Sequence, residues 1–290
     1  MTKYVLYRIG MWISVNVPLK VAYKIAELVA ILQYMFCFRD RRAVMDNLSI
    51  VMAASDEKVL SHITMQVFIN FAKYLVDFFR FSLLDKQYVE KFVRIEGRQN
   101  VDEAFKKGLG VIAMTAHVGN WELAGVVTSF LGHPVNAIAL NHRHKRINDF
   151  FVSQRELKGI KVVPLGVAVR RCFTALKENE LIGVLGDRDF TGAGVIVKFI
   201  GKDVKMPKGP ALFALKTGAV IIPSFMIRQQ DDTYKMFYQE PIEYSPTGND
   251  EKDIIALTGK CAKVIEDIIK LYPEQWFMFR QFWKEDANKV

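Results

Sequence analysis

Between Met114 and Gly125 the chain reads Met-Thr-Ala-His117-Val-Gly119-Asn120-Trp121-Glu122-Leu-Ala-Gly, a stretch whose residue types can move a proton. An imidazole titrates near neutral pH and serves as a general base. A carboxylate bonded to its other nitrogen fixes the tautomer and stabilises the imidazolium that forms when the ring takes a hydroxyl proton. Five residues is out of phase on a continuous helix, but a turn at Gly119 and Asn120 can fold Glu122 back onto His117. The helix start that follows can offer N–H groups to a developing oxyanion. A core histidine with Glu122 as an ordinary acidic charge at a helix start fits the same spacing, and spacing alone does not separate the two.

Other chemistries lack their residues. The chain has no Gly-x-Ser-x-Gly elbow, Walker loop, His-Glu-x-x-His or Cys-x-x-Cys, the usual supports of a covalent serine enzyme, a nucleotide phosphotransferase and a zinc enzyme. Cys37, Cys172 and Cys261 are too far apart for a metal knuckle and read as buried or half-buried thiols. His142 and His144 are half a metal site without an acidic or cysteine partner, and read as surface residues. Attack by an acceptor hydroxyl on an activated acyl group needs no nucleophile from the protein.

The elements that must position His117 follow from hydrophobic patterning. From residue 93, short β-rich runs alternate with helical segments. Strands are expected at Val93–Glu96, Gly110–Ala116, Val135–Leu140, Ile160–Leu165, Leu181–Leu185 and Ala219–Ile227, with an antiparallel addition at Thr233–Gln239. Helices are expected at about 120–130, 145–158, 168–178, 208–217 and 250–271. Asn100 with Glu103 looks like a capping box opening another helix that runs to Lys107. Alternation of this kind predicts an open, largely parallel α/β sheet flanked by helices, with ligands beyond the carboxyl ends of its strands. His117 sits at one such end.

The first 85 residues differ, and the expected division is an N-terminal helical region at 1–85 and an α/β domain at 86–290. A helix is expected over Val59–Phe81, with Leu60, Ile63, Val67, Phe71, Tyr74 or Leu75, and Phe78 on its apolar stripe; Phe68 and Phe79, off that stripe, widen its core face or extend the apolar surface offered to lipid. Within residues 1–38 the second apolar stretch, Val21 to Phe38, carries Lys24 and Glu27, leaving Leu28 to Phe38 as a charge-poor run of about 11 residues against the roughly 20 needed to span a bilayer. Residues 1–38 carry no signal-peptide pattern. Basic residues flank both ends of this stretch, which predicts an interfacial or re-entrant membrane anchor, with a single spanning helix as the other geometry.

Composition agrees with a membrane surface. The chain is 51% hydrophobic yet carries a net charge of +9. Residues 1–42 hold seven basic residues against two acidic ones, and residues 141–171 hold eight against two. Net charges of +5 and +6 there leave the remainder slightly acidic, at −2. Two confined basic segments suit anionic headgroups, phosphorylated substrates or an acidic carrier protein, or are two solvated faces.

Taken together, these segments resemble the bacterial lipid A biosynthesis (lauroyl/myristoyl) acyltransferases of the lysophospholipid acyltransferase superfamily, and the related phosphatidylinositol mannoside acyltransferases. The resemblance runs over nearly the whole chain. It rests on the apolar N-terminus, Arg42 to Leu48, the Phe68 to Phe79 helix, His117-Val-Gly-Asn-Trp-Glu122 and the Arg143 to Arg155 segment. It continues through Gly186-Asp-Arg-Asp189, Pro207-Lys-Gly-Pro210, Thr217-Gly-Ala219 with Pro223, and Tyr272-Pro-Glu-Gln-Trp276. The resemblance implies a glycerolipid acyltransferase-like fold and an O-acyltransferase of His-x4-Glu type on the cytoplasmic face of a bacterial inner membrane. Such an enzyme moves a fatty acyl chain from acyl carrier protein or coenzyme A to a glycolipid hydroxyl, most readily a lipid A precursor in lipopolysaccharide biosynthesis. The thioester is then a co-substrate, and no cofactor or metal is expected.

By the same resemblance His117 is the base and Glu122 its partner. Arg146 and Arg155, assisted by Arg143, match the basic second motif that would hold phosphate, for which planar guanidinium groups suit; a solvated helix face is the alternative. Asp187 and Asp189 match an Asp-x-Asp segment at the rim of the site, or are turn residues, and Asn120 counts with the substrate-binding residues. Trp276 and Trp283 read as packing residues. Where glycerolipid acyltransferases carry Pro-Glu-Gly-Thr this chain reads Gly186-Asp-Arg-Asp-Phe190, which disfavours plain glycerol phosphate. Gly119-Asn-Trp121 looks more like the branch that includes the mannoside enzymes.

Three other readings compete. One is a membrane-bound thioesterase using the same dyad on water. Another is a non-catalytic lipid-binding or scaffold protein. Nucleic-acid binding is prompted only by a pI near 9.3 and has no motif.

Overall fold

Nine strands occur in chain order: β1 (Val93–Glu96), β2 (Val111–Thr115), β3 (Val135–Ala139), β4 (Ile160–Pro164), β5 (Leu181–Leu185), β6 (Val195–Phe199), β7 (Lys202–Met206), β8 (Val220–Arg228) and β9 (Tyr234–Tyr238). Along β2 the side chains alternate between two hydrophobic clusters, Val111 and Ala113 in one, Ile112 and Met114 in the other. A strand apolar on both faces belongs inside a sheet. In the computed structural model, which describes residues 2–53 and 56–283, β2 is the middle strand of a seven-stranded sheet with order β1-β9-β8-β2-β5-β3-β4. The five strands β8, β2, β5, β3 and β4 are parallel to one another. The last hairpin turns back, so β9 is antiparallel to β8 and β1 pairs parallel with β9. The Lys3 side chain, counted above in the N-terminal basic segment, and residues 284–290 of the expected α/β domain lie outside the described residues.

Helices cover both faces. One core is closed by α9 (Ala168–Lys177), α10 (Gly209–Thr217) and α11 (Asp250–Leu271). The other is closed by α6 (Arg98–Lys106), α7 (Trp121–Phe130) and α8 (Lys145–Glu156) with the end of α4 (Glu57–Phe79). A short helix α5 (Lys86–Phe92) leads into β1. Two expectations are corrected. Asn100 does not cap α6: Gly97, in a left-handed conformation, precedes that helix, and the Asn100 amide instead donates to the Tyr238 carbonyl across 3.1 Å. The hairpin of β6 and β7, which is separate from the main sheet, was not anticipated.

Before α4 come α1 (Thr2–Asn16), α2 (Leu19–Phe36) and α3 (Phe38–Val51), the last two meeting at a bend of 91°. Helix α4 has the length and apolarity of a membrane-crossing helix, but Val67, Phe68, Tyr74, Phe78 and Phe79 are buried in protein. Phe68 and Phe79 therefore do widen its core face. Helix α2 is largely apolar and packs three alanines and Tyr23 inward. Ala22, Tyr23, Ala26 and Ala30 are buried in the α2–α4 interface, whereas Val21, Ile25, Leu28, Val29, Leu32, Met35 and Phe36 are exposed. Alanine on the inner face allows close helix approach. The same pattern on α1 exposes Val5, Leu6, Ile9 and Trp12, and Tyr7 stacks against Phe150 and meets Phe79 and Phe151 edge-on.

Candidate active site

Strands β2 and β5 lie side by side with Thr115 opposite Leu185, and each chain continues past its last pair by two residues to His117 and Asp187. The juxtaposition follows from strand register alone. His117 Nδ1 stands 2.8 Å from Asp187 Oδ1, and the His117 backbone N–H donates to Asp187 Oδ2 at 3.1 Å. The indole N–H of Trp276 donates to the same Oδ2 at 3.2 Å. Asp187 is fully buried, which by itself would raise its pKa; the facing imidazole and these donors outweigh burial and hold its carboxyl below the usual range. With Nδ1 carrying its proton toward Asp187, the lone pair of His117 lies on Nε2, on a side chain that retains 17% exposure.

The turn after His117 is laced on both sides. Its carbonyl accepts from Phe277 N–H at 2.8 Å, Gly119 N–H donates to Gln275, and Asn120 N–H donates to Met226 at the same 2.8 Å. Gly119 has φ +63°, and a β-carbon there would come within 2.0 Å of the Met226 carbonyl oxygen, so only glycine fits. The Asn120 side chain then caps α7, accepting from Leu123 N–H at 3.0 Å. Trp121 meets the His117 ring edge-on at 5.1 Å and stacks on Tyr74.

Glu122 is not the partner of His117. Its two oxygens accept from Arg155 Nε at 2.8 Å and Nη2 at 2.5 Å in a bidentate pair, both side chains largely buried. As the second residue of α7 it faces α8, and the turn at Gly119 and Asn120 does not bring it back to the imidazole. Burial disfavours the Arg155 charge, but Glu122 more than compensates and the guanidinium is held above its ordinary pKa. Arg155, expected as a phosphate ligand, is thus occupied by Glu122. Arg143 and Arg146 are exposed at the loop and first turn entering α8, beyond the carboxyl end of β3. His142 and His144 are exposed beside them.

Asp189 organises a loop, accepting from the Thr191 hydroxyl and backbone N–H and from Gly194 N–H. Of the two aspartates expected at the rim, Asp187 reaches the imidazole and Asp189 shapes the turn. The guanidinium of Arg188 lies 4.4 Å over the ring of Phe190, which in turn lies 6.5 Å from His117. Asn120 is fully buried and faces protein groups on every side. Asp187, expected at the rim of the site, is instead the direct partner of His117, and Trp276, read as packing, is a donor to that carboxylate. The Pro-Glu-Gln-Trp276 motif is a sequence signal for Trp276. Nothing in the linear order signals that β5 neighbours β2.

A histidine backed by a buried carboxylate at the carboxyl edge of a mostly parallel α/β sheet defines a class: proteins equipped to take a proton from a hydroxyl or water without a covalent nucleophile of their own. The chain belongs to the bacterial lipid A biosynthesis acyltransferases, whose family model matches residues 1–285. It is 28% identical to a phosphatidylinositol mannoside acyltransferase of Mycolicibacterium smegmatis over 76% of this chain and 71% of the relative. A lipid A biosynthesis palmitoleoyltransferase of Escherichia coli is 25% identical over 68% of this chain and 63% of its own length.

Proposed function

We propose that the protein transfers a fatty acyl group from a thioester, on acyl carrier protein or coenzyme A, to a hydroxyl of a glycolipid while resting on a membrane surface. The observation carrying this reading is the His117–Asp187 pair with Nε2 turned away from the carboxylate. In this mechanism Nε2 takes the acceptor hydroxyl proton as the oxygen attacks the thioester carbonyl. Asp187 stabilises the imidazolium. The tetrahedral intermediate collapses with loss of the thiolate, which receives the proton back from Nε2. In this reading the Trp121 and Glu122 N–H groups that open α7 serve the developing oxyanion.

The exposed apolar faces of α1 and α2, with Lys20 and Lys24 exposed on the latter, support attachment in the plane of a bilayer. Family membership favours a lipid A precursor as acceptor. The mycobacterial relatives support a second acceptor, a phosphatidylinositol mannoside. The test is to incubate detergent-purified protein and its His117→Ala variant with both thioesters plus each lipid, and to weigh the products by mass spectrometry. A His117-dependent gain of one acyl chain is expected. Release of free fatty acid without acylated lipid makes the protein a thioesterase instead.

A further inference from the structure

A second buried carboxylate lies behind the His117 turn and has no part in the chemistry above. Asp77, on α4, is 3% exposed. Its Oδ1 accepts from the Tyr23 hydroxyl at 2.5 Å. Its Oδ2 accepts from the Asn120 amide at 3.1 Å, from the Tyr234 hydroxyl and from Arg228 Nη2. The rings of Tyr23 and Tyr234 also lie against the Arg228 guanidinium, at 4.9 and 4.8 Å. Gln275 bonds the backbone of Arg228 through both ends of its amide, and its own carbonyl accepts from Gly119 N–H. Four elements thus converge on one carboxylate: α2 through Tyr23, the α7 cap through Asn120, β8 through Arg228 and β9 through Tyr234.

Burying an ion pair is a poor route to stability, since apolar groups of the same volume do as well or better. What such a network supplies is direction, because every donor is held at bonding distance from a fixed acceptor. Here the held group is Asn120, three residues from the base and cap of the helix that starts at Trp121. Its amide N–H2 is committed to Asp77 and Tyr234, which leaves its oxygen aimed at Leu123 N–H.

We propose that Asp77 is a positioning residue for the His117 turn and that Tyr23 completes its set of donors, so that α2 belongs to the catalytic apparatus as well as to the lipid-facing surface. The proposal rests on the acyltransferase reading for its kinetic consequence but not for its structural one. A chain with α2 detached loses one of the four donors that fix Asp77, and the turn bearing the base loosens.

Two hydroxyls of α2 reach toward α4, and comparing them isolates the effect. Tyr23 meets Asp77; Tyr34 meets the Ser61 hydroxyl at 2.8 Å, among the residues of a separate cluster. Full-length Tyr23→Phe and Tyr34→Phe are purified in detergent and compared with wild type in kcat, donor KM, melting temperature and the 15N shifts of the His117 ring. Tyr23→Phe is expected to lower kcat about tenfold with KM within about twofold, because misorientation of the base acts on the chemical step, and to move the His117 ring shifts. Tyr34→Phe is expected to match wild type in both. Equal kcat losses in the two variants, or unmoved His117 shifts in Tyr23→Phe, overturn the proposal. Should Tyr23→Phe not give folded protein, Tyr234→Phe removes a hydroxyl from the same carboxylate and is read by the same two outcomes. If wild type acylates no lipid, the acyltransferase reading falls while the ring shifts still decide whether Asp77 and Tyr23 hold the turn.

Discussion

His117 and Asp187 occupy the same register position on neighbouring parallel strands, two residues past the Thr115–Leu185 pair, and their side chains meet at 2.8 Å. The proposed base and its orienter therefore come from different βα units of one sheet edge, and strand pairing brings them together. Asp187→Asn keeps the shape but removes the charge that stabilises the imidazolium. The expected loss in kcat is on the order of 10²–10⁴, as for removal of a general acid–base contribution. Steady-state kinetics on the same donor and acceptor as wild type check it, and a variant within twofold of wild type would remove Asp187 from the mechanism.

The depressed pKa of Asp187 also makes a prediction about stability. In the unfolded chain the carboxyl titrates near 4; in the folded protein it titrates lower, because the facing imidazole and three N–H contacts outweigh burial. The unfolded state thus binds the proton more readily, and stability from this group is present above about pH 4 and lost as pH falls through the depressed value. Urea unfolding of wild type should therefore weaken on acidification below pH 4 more steeply than that of Asp187→Asn. Parallel acid limbs would mean that Asp187 is not ionised in the folded state.

Glu122 and Arg155 form a buried bidentate pair, so Glu122→Gln leaves a guanidinium without its counter-charge. Breaking such a pair on one side costs about 3–5 kcal/mol, whereas replacing both partners by apolar residues of like volume costs far less. The expected pattern is a melting temperature well below wild type for Glu122→Gln and largely restored in Glu122→Leu/Arg155→Met. Per molecule folded, Glu122→Gln should retain more activity than Asp187→Asn. A Glu122→Gln variant as stable as wild type but as inactive as Asp187→Asn would return the orienting role to Glu122.

What the sequence made legible was whatever depends on local pattern. The unbroken apolar run of Val111, Ile112, Ala113 and Met114 reads as a buried strand, and the end of that strand puts His117 at the carboxyl edge, where the structure has it. The hairpin of β6 and β7 escaped because its turn is Ile200-Gly201, with φ of +49° and +74°; an asparagine or aspartate before glycine is the signal a two-residue turn usually gives. Here Ile200 N–H is instead satisfied by Glu266 from α11 at 2.7 Å. The pairing of His117 was misassigned for a related reason. Proximity in sequence favours Glu122, five residues on, while proximity in space favours Asp187, seventy residues on, and strand order is not written in local periodicity. Asp77 and Tyr23 belong to the same category, since their meeting depends on how α2 packs against α4.

The inverted packing of α2 yields the last prediction. Leu28, Leu32 and Phe36 project from the face opposite Ala22, Ala26 and Ala30 and are 60%, 46% and 70% exposed. In water such a surface is unfavourable, and the proposed attachment would cover it with the hydrocarbon boundary of a bilayer at no loss to the α2–α4 contact. Burial of each side chain is worth about 1.5 kcal/mol or more, so each change to serine should weaken partitioning into vesicles about tenfold. Co-sedimentation with vesicles containing anionic lipid should fall accordingly, and raising the salt should weaken wild-type binding further by screening the exposed Lys20 and Lys24. Melting temperatures should stay within a few degrees, since these side chains touch little protein. Unchanged co-sedimentation in a Leu28→Ser/Leu32→Ser/Phe36→Ser variant would show that this face does not meet lipid, and the apolar surface of α1, with Trp12 at 67% exposure, would then be the remaining site of attachment.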